Sequence, residues 1–126
     1  RYDEKIFLYY DETDFCLRAY RKNQKIYVIP KIKVKHQGGM SVNLNNKLSI
    51  EANKHWHYMW SKFYYFKKNY SLFYAFRKTI IILLINFFKF IVFSLLDKRK
   101  RVIYYSQLSG LINSYMGYKS YKRLKL

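Results

Sequence analysis

Three acidic side chains directly follow a short apolar run, and they are the residues of this sequence best suited to acid–base chemistry. Residues 6–10 are apolar and aromatic, and Asp11, Glu12 and Asp14 come next. A carboxylate that is crowded by like charges has a raised proton affinity, so one of these groups could serve as a general base. The alternative is structural, because Asp11 or Thr13 can cap a helix that starts here. From these residues alone, helix capping is the favoured interpretation.

A histidine near two glycines is the second candidate for chemistry. His36 ends the segment 31–36 and is followed by Gly38, Gly39 and Ser41. A lone histidine at the end of a strand is more often structural than a ligand. The glycine backbone allows close approach, however, so this histidine also suits contact with a diphosphate or a metal ion.

The first part of the chain, which must position these groups, has the pattern of a mixed α/β segment. Residues 6–10 and 25–29 are short apolar runs that predict strands, and Pro30 closes the second. Residues 31–36 alternate with a period of two, which predicts a third strand. The acidic cluster favours a helix N-terminus, so a helix is predicted over 11–22. We therefore expect an α/β fold here.

Two amphipathic helices are predicted further along the chain. A stripe of large residues recurs at spacings of three and four between about 50 and 70, which predicts a helix that packs its stripe in a core. A second helix is predicted over 104–115, where Tyr, Leu and Ile recur at helical spacing ahead of the basic tail 119–126. The stripe of the first helix consists of Trp56, Trp60 (or Met59), Phe63, Phe66 and Tyr70.

Residues 79–96 form the most apolar segment and reach the lower length limit for a membrane span. On the insertion scale its apolar residues contribute about −4 to −8 kcal/mol, against about +2.5 to +3.5 kcal/mol for Lys89, so membrane residence is expected. Basic residues flank the segment on both sides, which favours a helix in the cytoplasmic interface over a clean crossing.

The net charge of +18 comes from 25 basic and 7 acidic residues and favours polyanionic partners. Part of the excess is also what codon usage in an AT-rich genome produces. A nucleic-acid-binding module would leave residues 79–96 without a purpose, so no specific nucleic acid is expected. The single cysteine, Cys16, excludes an internal disulfide and fits a reducing compartment. His55 and His57 diverge on a helix, so zinc is not expected.

Three segments, taken in order, resemble motifs of bacterial family 2 glycosyltransferases, especially rhamnosyltransferase-like members. Residues 7–18 give an aromatic strand, two adjacent acids, a spacer, an Asp and an Arg. Residues 25–41 give a Lys–strand–Pro segment followed by Val-x-His-x-Gly-Gly-x-Ser, and residues 57–68 resemble the family's aromatic, basic helix. The resemblance covers most of the chain. Glu12 stands where the family usually has Asp, and the Asp-x-Asp motif of the family's N-terminal half does not occur.

The resemblance implies a role for each candidate residue. Glu12, or Asp11 beside it, would be the catalytic base that deprotonates the acceptor hydroxyl. Asp14 would orient the acceptor or cap the helix, and Arg18 would brace the acids. The second segment would contact the donor diphosphate and its divalent cation, Mg²⁺ or Mn²⁺, with His36 as the metal ligand. Its contact residues would be His36, Gly38, Gly39 and Ser41.

The resemblance also implies a fold and a cellular setting. Residues 1–49 would be the C-terminal part of a GT-A (nucleotide-diphospho-sugar transferase) domain, 50–78 an aromatic, basic amphipathic helix, and 79–126 a membrane-associated apolar helix with a basic amphipathic tail. The chain would belong to an inverting enzyme that moves a sugar from a nucleoside-diphosphate donor to a saccharide or lipid-linked acceptor. It would act in surface-polysaccharide synthesis, at the anionic cytoplasmic face of the bacterial inner membrane.

Two further expectations accompany this interpretation. Because the nucleotide-binding half is absent from the sequence, the 126-residue chain is expected to be inactive by itself. The alternative function is a non-catalytic basic protein that anchors to a membrane or binds a partner.

Overall fold

A computed structural model describes residues 1–35 and 47–120. Within these residues the secondary structure consists of four helices and contains no strand. The helices are α1 (Asp11–Arg21), α2 (Lys47–Asn69), α3 (Leu72–Leu96) and α4 (Lys98–Tyr115).

The prediction of an α/β fold, the C-terminal part of a GT-A domain, is wrong for the described residues, because all their regular secondary structure is helical. Residues 6 and 7 are irregular, residues 8–10 form bends, and residues 25–35 are irregular and exposed. A strand is stable only beside a neighbour that completes its backbone hydrogen bonds, and no described segment pairs with either stretch. Period-two alternation over 31–35 therefore does not produce a strand here.

The helix predictions are confirmed, with shifted ends. α1 ends one residue before the predicted limit of 22, and α2 begins three residues before 50. α3 contains the apolar segment 79–96 but begins at Leu72, where the side chain of Ser71 accepts a hydrogen bond from the Tyr74 backbone N–H at 3.1 Å. Such a cap satisfies one of the free donors of a helix N-terminus.

One residue separates α3 from α4. The extended backbone of Asp97, with φ −152°, stops α3, and its carboxylate accepts a hydrogen bond from the Lys100 N–H at 3.0 Å, which caps α4. α4 then runs back along α3. Tyr104 stacks on Phe93 near this turn, and Tyr115 hydrogen-bonds Thr79 at 2.8 Å near the far end. α4 therefore covers one side of α3 over most of its length.

Helices α2, α3 and α4 pack against one another and form the core. Three aromatic rings, those of Phe63, Phe76 and Tyr115, meet there with centroids 4.5 to 5.1 Å apart. Offset and edge-on ring pairs of this kind add stability beyond the area that they bury. The buried centre of this core consists of Met59, Phe63, Ala75 and Leu111.

The close approach of α2 and α4 depends on a glycine. A Cβ atom at Gly110 would lie 2.2 Å from the backbone oxygen of Trp56, so no side chain fits without moving one helix. The Trp56 indole N–H also donates to the hydroxyl of Ser109 at 3.2 Å, so a hydrogen bond joins α2 and α4 beside Gly110.

Gly110→Ala should therefore lower the free energy of unfolding by about 1 to 3 kcal/mol, because overpacking at a backbone contact forces the helices apart. Urea denaturation of the two proteins measures the difference. Gly117→Ala is the comparison, since no atom lies within 4 Å of its Cβ position and its cost comes from a backbone φ of +76° alone. Equal stability of Gly110→Ala and the native chain would contradict the close contact.

The first ten residues dock on this helical core. The side chain of Ile6 is buried, and the carbonyl oxygens of Leu8 and Lys5 accept hydrogen bonds from the hydroxyls of Ser61 at 2.7 Å and Ser120 at 2.6 Å. The segment therefore reaches α1 along a fixed path over α2.

Candidate functional site

The acidic cluster lies in the first turn of α1, after a turn with an unusual backbone. Tyr9 and Tyr10 both adopt left-handed conformations, with φ of 65° and 64°. Tyr10 is the N-cap and makes no side-chain cap hydrogen bond, so the predicted capping by Asp11 or Thr13 is wrong. Non-glycine residues rarely adopt positive φ, and consecutive examples mark a turn imposed by its surroundings.

Aromatic packing holds this turn in place. The Tyr10 ring lies 5.7 Å from the Tyr58 ring and 5.2 Å from the Tyr65 ring, and the Tyr9 ring meets Tyr58 edge-on at 5.7 Å. Both partners belong to α2, so α2 determines where the acidic cluster begins.

The three acids of the cluster have different environments. Glu12 is exposed and makes no hydrogen bond or ion pair with any of the described residues, and Asp11 is half-buried. Both lie at a helix N-terminus, where the backbone N–H groups favour negative charge. A carboxylate with free lone pairs can accept a proton from a bound hydroxyl, and the role of base that the resemblance implies for Glu12 or Asp11 stays a prediction.

Asp14 has a fully buried side chain that accepts hydrogen bonds from three protein donors. Its carboxylate accepts hydrogen bonds from Arg18 Nε at 2.8 Å, Lys68 Nζ at 2.8 Å and Asn69 Nδ2 at 2.9 Å. Arg21 in turn donates to the side chain and the carbonyl of Asn69. These bonds tie α1 to the C-terminal end of α2.

The pKa of Asp14 reflects this arrangement. Burial alone would raise the pKa, but the hydrogen bonds from Asn69, Lys68 and Arg18, with the charge of Lys68, outweigh burial and hold the pKa below its usual value of 3.8. The carboxylate is therefore ionised at neutral pH and acts as a structural anchor. Contact between Asp14 and an acceptor stays a prediction.

Arg18 braces one acid of the cluster within the described part of the chain. Its Nε bonds Asp14, and its Nη2 donates to the carbonyl oxygen of Arg1 at 2.7 Å. Lys68 extends the network to Asp3, at 2.6 Å, and Asp3 also accepts from the Tyr64 hydroxyl at 3.1 Å. Burial raises the pKa of Asp3, but the hydrogen bonds from Lys68 and the backbone outweigh it, so the pKa is lowered. Burial and the neighbouring Asp3 charge raise the pKa of Tyr64 to about 12.

The predicted donor-diphosphate and metal residues His36, Gly38, Gly39 and Ser41 lie outside the described residues. Among residues 1–35 and 47–120, no group of three or more His, Cys, Asp or Glu side chains is placed to hold a metal ion. The assignment of Mg²⁺ or Mn²⁺ to His36 stays a prediction.

α3 carries the largest apolar surface of the described chain. By length and composition it could cross a membrane, and 11% of its most apolar 18-residue window is buried. Its inner side, with Ala75, Thr79 and Asn86, faces the other helices and is buried. Its outer side is exposed and, apart from Arg77, carries mostly large apolar residues, which include Phe73, Ile81, Leu84, Phe87, Phe88, Ile91, Leu95 and Leu96. We call this side the outer face of α3.

A pocket that was not predicted from the sequence lies between α2 and α4, and we call it the α2–α4 pocket. It has a volume of about 380 Å³, and its walls include Tyr9, Glu51, His55, Tyr58 and Gln107. The spacing of Glu51, His55 and Tyr58 by four and three residues places them on one helix face and was a usable signal. The contribution of Gln107, 52 residues from His55, depends on the tertiary fold and had no such signal.

No family model, curated protein or solved structure matches this chain. The function must therefore be inferred from the geometry and chemistry of its own residues.

Proposed function

We propose that this chain is part of a membrane-bound inverting glycosyltransferase and that it attaches to the membrane through the outer face of α3. The enzyme moves a sugar from a nucleoside-diphosphate donor to a saccharide or lipid-linked acceptor at the cytoplasmic face of the bacterial inner membrane. Glu12 serves as the base toward the acceptor hydroxyl, with Asp11 as the adjacent acid.

The observation that carries membrane attachment is the one-sided burial of α3. A continuous apolar surface of this length is uncommon on a soluble protein and marks a site for a membrane or a partner. Basic residues lie at both ends of the helix: Arg77 and Lys78 in its N-terminal part, and residues 98–101 just after it. Each such residue near an anionic leaflet adds about 1 kcal/mol of attraction.

The packing of α4 favours a helix that lies in the membrane surface over one that crosses it. α4 covers the inner side of α3 and carries polar residues such as Gln107 and Asn113. A crossing α3 would take this helix into the hydrocarbon, where each unsatisfied polar group costs several kcal/mol. A half-embedded α3 keeps α2 and α4 on the water side and buries only its outer face.

The different environments of the three acids support the assignment of Glu12. Asp14 uses its carboxylate within the fold, whereas Glu12 is exposed and has no described partner, so it is free to meet a substrate. A general base must come within hydrogen-bond reach of the hydroxyl that it deprotonates, and a carboxylate already held by Arg18 and Lys68 is poorly suited to that role. The order of the three sequence motifs supplies the reaction type.

Glu12→Gln in the membrane-bound protein that contains this sequence should reduce sugar transfer at least ~100-fold, because amide nitrogen and oxygen cannot take the acceptor proton. Transfer of radiolabelled sugar from nucleoside-diphosphate donors to membrane lipids measures the rate. Asp11→Asn tests whether the adjacent acid is the base instead.

The control for this experiment is Glu4→Gln, since Glu4 is exposed and its ion pair is with Arg1, not with a residue of α1. Native rates in both Glu12→Gln and Asp11→Asn would overturn the catalytic assignment. Membrane attachment without any dependence of surface glycan on Glu12 would favour the second candidate, a non-catalytic membrane anchor, which the outer face of α3 also supports.

A further inference from the structure

The α2–α4 pocket has the composition of a site for a neutral, hydroxyl-rich ring. Its volume of about 380 Å³ lies at the lower end of the ~300–1,000 Å³ found for small-molecule sites. The rings of Tyr9 and Tyr58 meet edge-on at 5.7 Å and form an aromatic wall. Four polar side chains, Glu51, Lys54, His55 and Gln107, also line the pocket.

Hydrogen bonds within the pocket determine which polar atoms remain for a ligand. The amide nitrogen Nε2 of Gln107 is 3.0 Å from His55 Nδ1, and an amide nitrogen can only donate a hydrogen bond. His55 Nδ1 therefore accepts, which places the proton of the neutral ring on Nε2. That N–H group makes no hydrogen bond with another described residue, and the Gln107 carbonyl oxygen remains an acceptor.

Glu51 supplies a second acceptor. Both hydrogen bonds from Arg99, at 3.2 Å and 2.7 Å, go to the same carboxylate oxygen, Oε2. The other oxygen, Oε1, keeps its lone pairs. Besides Lys54, whose ammonium group can only donate, the pocket thus offers the His55 N–H donor and two acceptors beside an aromatic wall.

We propose that the α2–α4 pocket binds one saccharide unit of the acceptor, an inference that rests on the proposed function. A pyranose presents C–H faces, which pack against aromatic rings, and hydroxyl groups, which both donate and accept hydrogen bonds. A lipid chain would leave the His55 Nε2–H group and the Glu51 Oε1 atom without a hydrogen-bond partner inside the pocket, which costs free energy.

The position of Tyr9 links this pocket to the acidic cluster. Tyr9 forms a pocket wall and also belongs to the left-handed turn that leads into Asp11 and Glu12. A saccharide that packs on Tyr9 therefore contacts the same segment that carries the base.

The test is saturation-transfer NMR with the 126-residue chain in detergent micelles, with methyl α-L-rhamnopyranoside and methyl β-D-glucopyranoside as probes. Saturable binding of at least one glycoside is expected. Gln107→Leu keeps the side-chain size but removes the acceptor and the bond to His55, so binding should weaken at least ~10-fold. Gln24→Leu, at an exposed position in the irregular segment after α1, is the matched control.

A second variant guards against an effect of Gln107→Leu on folding. Tyr9→Gly removes the aromatic wall and favours the left-handed backbone of this position, so it should also abolish binding. Absence of saturable binding by the native chain, or equal binding by Gln107→Leu, overturns the pocket assignment.

The two proposals fail in different ways. Glu12→Gln should bind the glycosides as the native chain does, because Glu12 does not line the pocket. Glycoside binding without any sugar transfer by the membrane-bound protein overturns the transferase proposal and leaves a saccharide-binding pocket. Transfer that depends on Glu12, without glycoside binding here, overturns the pocket alone.

Discussion

Asp14→Ala is expected to lower the free energy of unfolding by about 3 to 5 kcal/mol, since it breaks a charge network around a buried group. The variant leaves Lys68, Arg18 and Asn69 without the carboxylate that joins α1 to the end of α2. Urea denaturation followed by circular dichroism measures the loss. α1 should detach before the core unfolds, because its described hydrogen bonds to α2 pass through this network.

Asp11→Ala is the matched control for this prediction. Asp11 lies in the same helical turn but has no hydrogen bond or ion pair to a described residue, so its loss should cost only ~0.3–1 kcal/mol through the helix dipole. Similar stability of the two variants would contradict the structural role of Asp14.

The same network predicts a dependence of stability on pH. The pKa values of Asp14 and Asp3 lie below 3.8 in the folded chain, so the unfolded chain binds more protons as the pH falls through this range. The stabilisation is therefore fully present above about pH 4 and is lost as the pH falls through the folded pKa values. Asp14→Ala should flatten this acid dependence, and an unchanged slope between neutral pH and about pH 3 would show that other groups cause it.

Leu84→Glu combined with Phe88→Glu should weaken binding to anionic vesicles by at least ~10³-fold. These residues are four apart on the outer face of α3 and are 60% and 68% exposed, so the change leaves the core intact. Burial of each side chain in the membrane contributes about 1.5 to 3 kcal/mol, and two such contributions give the expected loss. Flotation with vesicles that contain phosphatidylglycerol measures the partition.

The control for the membrane experiment must introduce two negative charges outside the outer face of α3. Tyr20→Glu combined with Tyr27→Glu also changes two exposed large residues, 75% and 73% exposed, and lowers the net charge equally. This pair lies outside α3 and should change vesicle binding far less. Equal losses in the two double variants would mean that overall charge, and not the outer face of α3, drives membrane binding.

The sequence predicted the helices well because their signals are local and strong. The predicted stripe of α2 is buried at Trp56 and Phe63, and the apolar segment 79–96 lies in α3. The stripe weakens toward its end, since Tyr70 lies just after α2 and is half exposed. Helical spacing records which face of a helix is covered, so it identifies the core residues in advance.

The strand predictions failed because a strand depends on residues far away in the chain. The apolar run 6–10 matches a strand in composition, but its side chains pack on α2 while Tyr9 and Tyr10 adopt a turn. Alternation over 31–35 likewise says nothing about whether a neighbouring strand exists. Local pattern alone could not separate these cases.

The sequence predicted where the acidic cluster lies, but it did not predict which of its carboxylates is buried and which is exposed. Glu12 and Asp14 occupy the same helical turn, and sequence alone gives both a free carboxylate. Burial and the donors Lys68 and Asn69, which lie 54 and 55 residues away from Asp14, distinguish them. Such long-range partners have no signature near the acidic cluster.

The two left-handed tyrosines have a consequence for the order in which the chain folds. Each positive φ opposes the intrinsic preference of the backbone by roughly 1 to 2 kcal/mol, so the turn at Tyr9 and Tyr10 does not form in an isolated peptide. It forms only once Tyr58 and Tyr65 are displayed on a folded α2. The turn before the acidic cluster is thus assembled after α2, and any change that slows or loosens α2 delays the placement of Asp11 and Glu12 without touching them.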